Sequence, residues 1–110
     1  MDYKGKGMIT YDEENAILRL TGEFDAGNVD WMNNELRRVC MSLRGPEVQV
    51  DLTEVTYLQS CTTAPLLRLG LKALENGIKT VFAIPTIGPV KSITTMYGFS
   101  HRFKVVEVAA

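Results

Sequence analysis

Val48, Val50 and Leu52 alternate with Gln49 and Asp51, the period-two pattern of a strand with one apolar face. A polar segment through Ser60 follows, and then a run from Leu66 to Leu74 whose wide apolar face has Arg68, Lys72 and Glu75 opposite it. This is a strand, a loop and a helix. Upstream, residues 8–11 and 16–20 are two short strand-like runs around the polar Asp12-Glu13-Glu14-Asn15, a hairpin signal. Gly22 breaks the second run. A helix over about 27–43 is then predicted, with Val29, Met32, Leu36, Val39, Cys40 and Leu43 on one stripe. Asp25 or Asn28 is its expected cap, because a short side-chain oxygen there accepts from an orphan N–H of the first turn. Trp31 and Met41 fall off the stripe, packed at an edge or exposed as a contact patch.

Arg44-Gly45-Pro46 ends that helix, and Asn76-Gly77 ends the leucine-rich one. Residues 79–84 read as the next strand, closed by Pro85. A short helix from Pro89 to Tyr97 has Val90, Ile93 and Tyr97 facing inward and Gly98 as its stop, and residues 103–108 form a last strand or extended tail. Strands joined by helices imply right-handed crossovers and parallel pairing, and the hairpin adds an antiparallel edge. The expected fold is α/β, a mixed four- to five-stranded sheet with helices mainly on one face, in a single domain over residues 1–110. Val50, Leu52, Leu67, Leu71, Leu74, Val81 and Phe82 are expected to include most of the core centre.

Composition narrows the class. With 45% hydrophobic and 23% charged residues, the chain reads as an ordinary globule. A net charge of −1 supplies no broad pull on nucleic acid or on an anionic membrane. Cys40 and Cys61 form no CxxC pair or metal-spaced cluster, and a single histidine, His101, cannot complete one. No metal and no cofactor are therefore expected. Residues 1–7 lack the apolar core of a signal peptide, and no run approaches the ~20 apolar residues that span a bilayer. The cytoplasm, with both thiols reduced, is the expected location.

Candidate chemistry centres on the loop after the central strand. A loop that leaves a strand and enters a helix sets its last residues beside unpaired N–H groups, where an anion or an attached phosphate is favoured. Ser60 stands there. Pro65 constrains the helix start: with Ser60 as N-cap its missing N–H would fall where the Cys61 carbonyl needs a donor, whereas Thr62 or Thr63 as N-cap puts Pro65 in the first turn. No base can be named for Ser60 or Cys61, so no enzyme is expected. Cys61 reads as a small half-buried loop residue.

The segment from Asp51-Leu52 through Val55, Tyr57-Leu58 and Ser60 resembles the signature of STAS domains, most closely the single-domain anti-sigma factor antagonists. In that family a strand ending in an Asp-Leu-like pair leads, after a hydrophobic couplet, to Asp-Ser-Ser/Thr-Gly-Leu-Gly at a helix start. Gln59 stands here for the usual Asp, and Thr62, Thr63 and Ala64 replace Gly-Leu-Gly. Leu20-Thr21-Gly22-Glu23-Phe24-Asp25 resembles the family's Leu-x-Gly-Glu-x-Asp, and Gly88 to Ile93 with Gly98-Phe99 resembles its third helix and stop. The chain is too short for the further helix with which the family usually ends.

The resemblance implies a regulatory binding protein. Its unmodified form would bind a partner-switching anti-sigma factor with serine kinase activity, phosphorylation of Ser60 would release it, and a serine phosphatase would reset it. Asp25, Gln59, Ser60, Cys61, Thr62 and Thr63 are the implied partner-binding residues. The alternative is a STAS scaffold without the switch, a constitutive interaction module in a signalling or transport complex.

Overall fold

The computed structural model describes residues 7–109, so the segment read above for a leader lies, Gly7 apart, outside the described residues. β1 (Gly7–Asp12) and β2 (Ile17–Phe24) form the expected hairpin. At its turn Asn15 donates its backbone N–H to Asp12 Oδ1 at 3.1 Å and its side-chain Nδ2 to Asp12 Oδ2 at 2.8 Å. Ala16 completes the reversal with φ at 56°, a left-handed conformation that a Cβ disfavours.

Three helical crossovers follow. α1 (Val29–Ser42) links β2 to β3 (Glu47–Leu58), α2 (Thr63–Glu75) links β3 to β4 (Lys79–Pro85), and α3 (Pro89–Met96) with a short α4 (Phe99–Arg102) links β4 to β5 (Lys104–Val108). The strand order is β1-β2-β3-β4-β5, antiparallel for the first pair and parallel for the rest. Because the parallel strands succeed one another in one direction, right-handed crossovers bring all the helices to one face. The other face is open, with Thr10, Arg19, Gln49 and Lys104 exposed along it. This is the fold expected from the pattern, with α4 added and the terminal segment paired as a true fifth strand.

β3 is the centre of the sheet and runs further than its clean alternation, to Leu58. It gains length on β2 through register shifts after Arg19↔Asp51 and after Gly22↔Val55. Asp51 holds the first of these: its Oδ1 accepts from Thr53 N–H at 2.9 Å and from Thr53 Oγ1 at 2.6 Å, and its Oδ2 accepts from Arg19 Nε at 3.1 Å. Burial raises the Asp51 pKa, but the Thr53 hydrogen bonds and the Arg19 cation outweigh it, so the carboxyl titrates below its ordinary range.

Between sheet and helices Phe24, Phe82, Phe99, Leu18, Leu20, Leu52 and Leu66 are fully buried. Phe82 packs edge-on against Phe99 at 5.0 Å and tilted against Phe103 at 5.3 Å. Val50, Leu52 and Phe82 lie in the core as expected, whereas Val81 is buried on the open face, in register with Gln49 and Lys104 and outside the core cluster. Three leucines of α2 also fall outside it. Leu71 and Leu74 are 38% and 59% exposed and Leu67 is half-buried, while Leu66, Leu69, Gly70 and Ala73 turn inward. The phase is set by Gly70, where the ring of Phe103 occupies the space a Cβ would need. In α3 likewise Thr94, not Tyr97, completes the buried side, with its hydroxyl donating to the Val90 carbonyl at 2.8 Å. Trp31 packs against the core, whereas Met41 is 83% exposed.

Candidate functional site

Two loops meet at the carboxyl end of the central strands. The β3–α2 connection leaves Leu58, passes Gln59 in extended geometry, and makes a 3₁₀ turn over Ser60–Thr62 that continues into α2. Pro65 is thus the third residue of α2, inside the first turn, where its missing N–H is tolerated. Gln59 O accepts both the Thr62 N–H at 2.9 Å and Thr62 Oγ1 at 2.6 Å. One residue on, Ser60 O accepts the Thr63 N–H and, at 2.7 Å, Thr63 Oγ1.

Thr62 occupies the cap position of α2, yet it caps nothing through its side chain. Both threonine hydroxyls donate backwards to carbonyls instead of accepting from the orphan N–H groups ahead. Thr62 and Thr63 are 0% and 2% exposed, which corrects their assignment as partner contacts: their side chains offer a partner no surface. Ser60 and Cys61 are exposed, and the Ser60 hydroxyl is bonded to no described residue. The half-buried reading of Cys61 is corrected in the same way.

The β2–α1 loop forms the second wall. Asn28 stands at the cap position of α1, but its Oδ1 accepts from the Asp25 N–H at 2.8 Å and its Nδ2 donates to the Glu23 carbonyl at 2.9 Å. The amide therefore clamps the loop behind it, contrary to the capping role expected from its place. Asp25 Oδ1 accepts from Gly27 N–H at 2.8 Å, a local Asx turn. Neither residue caps α1 with its side chain.

Gln59 joins the two loops. Its backbone N–H donates to the Phe24 carbonyl at 2.9 Å, and its side-chain Oε1 accepts from the Ala26 N–H at 2.7 Å. The amide oxygen thereby supplies the acceptor that a carboxylate at this position would, without its charge. Asp25, Gln59, Ser60 and Cys61 thus belong to one surface. Sequence reasoning placed Asn28 as a cap but missed its clamping role and the Gln59 bridge.

Beside this surface a groove of about 700 Å³ runs between α1 and α2, bordered by Pro65, Arg68, Leu71, Met41 and Cys40. Arg68 Nη2 reaches across it to Asn33 Oδ1 at 2.9 Å. Burial pushes the Cys40 thiol upward in pKa, the opposite of what a reactive thiolate needs. Among the described residues no group of three or more His, Cys, Asp or Glu side chains could hold a metal ion, and no helix is long and apolar enough to cross a membrane.

A mixed sheet in sequential order, helices on one face and an exposed serine opening the turn into α2 define a small α/β domain. The STAS domain model matches residues 8–109, and the chain belongs to the STAS domain family. No curated protein sequence matches it. Among solved structures it is similar to an anti-sigma factor antagonist from Mycobacterium paratuberculosis, with a TM-score of 0.75 and 12% identity over 93% of this chain and 86% of that one. It is also similar to an uncharacterized DUF3478-family protein with a SpoIIAA-like fold from Shewanella loihica PV-4, with a TM-score of 0.54 and 18% identity over 94% of this chain and 86% of that one. At these identities the likeness is one of fold.

Proposed function

We infer that this STAS domain is a regulatory binding protein of the anti-sigma factor antagonist type, and that Ser60 is its phosphorylation switch. In its unmodified form it docks on a partner-switching anti-sigma kinase through the surface made by Asp25, Gln59, Ser60 and Cys61. The single observation that carries this is the contrast among three neighbouring hydroxyls: Ser60 is exposed and bonded to no described residue, whereas Thr62 and Thr63 are buried and already donate to carbonyls. A kinase can reach only the first.

A phosphoryl group brings about −1.5 to −2 charges to the middle of that surface. It is tolerated by the protein itself, because the positive end of α2 lies just beyond. It is not tolerated by a partner that has covered the loop, so the complex is released without refolding either side. A serine phosphatase completes the cycle.

The test is phosphosite mapping by mass spectrometry on protein isolated from its native cells, beside the Ser60→Ala variant. A phosphate on Ser60 that is absent in the variant is the expected result. Ser60→Asp should weaken capture of the kinase, though a carboxylate imitates phosphate only in part. If Ser60 stays unmodified while the protein still holds a partner, the second reading applies: a STAS module that binds constitutively. Gln59 favours that reading, since it keeps the loop bridge while removing the carboxylate usual at its position.

A further inference from the structure

A second recess lies at the opposite edge of the sheet, where β4 and β5 begin. It has a volume of about 300 Å³. Its rim is formed by Lys79, Ser100, His101, Arg102 and Lys104, all exposed, and its floor by the buried Thr80 and Phe103. Leu74 supplies one wall, and no Asp or Glu lines the recess. Lys79, Arg102 and Lys104 form no ion pair with a described residue; the pairs present are Arg19–Asp51, Arg38–Glu35, Lys72–Glu75 and Lys91–Glu107. Glu47 stands opposite Lys79 in the β3–β4 register without an ion pair to it, so the rim stays net basic and its potential positive.

The floor carries an independent sign. Thr80 is 3% exposed, and its Oγ1 is the one buried side-chain polar atom among the described residues without a hydrogen-bond partner. A buried hydroxyl left unpaired is costly, so its retention in the core-facing row Val48↔Thr80 and Val50↔Phe82 calls for a partner. The α2 carbonyls at this end do not supply one. Ala73 O is taken by the N–H groups of Asn76 and Ile78, and Leu74 O by that of Gly77.

We propose that this recess binds a compact phosphate-class oxyanion, with Arg102 and the hydroxyls of Ser100 and Thr80 on its helix side and with Lys79 and Lys104, which start from the open face, adding charge at the strand ends. The Arg102 guanidinium presents a planar fork suited to two phosphate oxygens, and the lysines act as point charges. Only Leu74 and Phe103 offer apolar wall, and the volume is at the lower limit for a drug-sized ligand, so the ligand is the phosphate itself or a small phosphomonoester. The recess and the Ser60 loop lie at opposite ends of the parallel strands. Its occupancy is therefore independent of any switch at Ser60.

The experiment is a titration of the ¹⁵N-labelled protein at constant ionic strength, with inorganic phosphate in one arm, glycerol 3-phosphate in a second and chloride in a third. Saturable shifts of the amides of residues 79–80 and 100–104 are expected with the first two, the tighter arm identifying the source. Joint Arg102→Gln and Lys104→Gln substitution should weaken binding at least tenfold, both positions being exposed and safe for folding. Thr80→Val should weaken it several-fold while leaving the ligand-free protein at least as stable. Shifts that grow linearly, that chloride reproduces, or that survive the double substitution overturn the assignment. So does an unchanged affinity in Thr80→Val.

Discussion

Leu66→Ala and Leu71→Ala remove the same atoms from one helix and should have very different effects. Leu66 is 0% exposed and Leu71 is 38% exposed beside an open groove. Truncating leucine to alanine forfeits roughly 2–2.5 kcal/mol of transfer free energy when the side chain is fully buried. The closed cavity left behind at residue 66 brings the expected loss to about 3–4 kcal/mol. At residue 71 the transfer loss shrinks with exposure, and solvent or a neighbouring side chain fills the space, leaving about 1–1.5 kcal/mol. The difference of about 2 kcal/mol is roughly thirtyfold in the folding equilibrium. Urea unfolding at pH 7 and 25 °C reads it directly: at a slope of about 1–2 kcal/mol per molar, the midpoints should separate by ~1 M or more. Slopes must match, so that the shift reports stability and not a changed unfolded state. Equal losses, or a larger one at Leu71, would refute the helical phase described above and the role of Gly70 in setting it.

Gly70→Ala gains about 1 kcal/mol of helix propensity, but its methyl would lie 2.5 Å from Phe103 Cζ; a net loss of about 1–2 kcal/mol is expected from the overpacking, and Phe103→Leu in the same chain should recover part of it. Ala16→Gly should raise stability by about 0.5–1 kcal/mol in the same urea assay, since φ at 56° is a conformation glycine adopts without strain. Asp51 has a lowered pKa, so its contribution is present above the unfolded-state value of about 3.9 and is lost as the pH falls through the lower folded value. Asp51→Asn should accordingly flatten stability against pH below about pH 4, and an unchanged acid limb would show that other carboxylates govern it. Ser60→Asp should alter stability by no more than about 0.5 kcal/mol, because no described residue depends on its hydroxyl; a larger loss would mean that weakened binding reports unfolding.

Strand phase was legible in the sequence because alternation leaves only two choices, and Val48, Val50 and Leu52 exclude one of them. Helix phase in α2 was not. Six apolar side chains between Leu66 and Leu74 cover more than half the circumference, so hydrophobicity alone does not say which side faces the sheet. The decision came from residues without hydrophobic bulk: Gly70 gives way to Phe103, and Thr62 and Thr63 enter the core with their hydroxyls already bonded. Thr94 displaced Tyr97 in α3 by the same device, a polar side chain made buryable by a carbonyl one turn back. The position and exposure of Ser60 could be read from local order. The Gln59 bridge could not, because its partner, the Ala26 N–H, is 33 residues away and belongs to the backbone, which leaves no trace in residue type.

That bridge bears on how a small change at Ser60 can be read by a partner. The loop around it is already saturated: Gln59 is tied to Phe24 and Ala26, Thr62 to Gln59, and Thr63 to Ser60 O. None of these bonds uses the Ser60 side chain. A charged group placed there has no internal bond to break and no internal partner to gain, beyond the field of α2. Its effect is therefore spent outward, on whatever covers the loop, and a rigid frame makes that effect larger because the loop cannot move aside to relieve it. Gln59 holds the frame through its amide oxygen and brings no charge to the loop. The two functional readings thus share this frame and differ in whether Ser60 ever carries a phosphoryl charge.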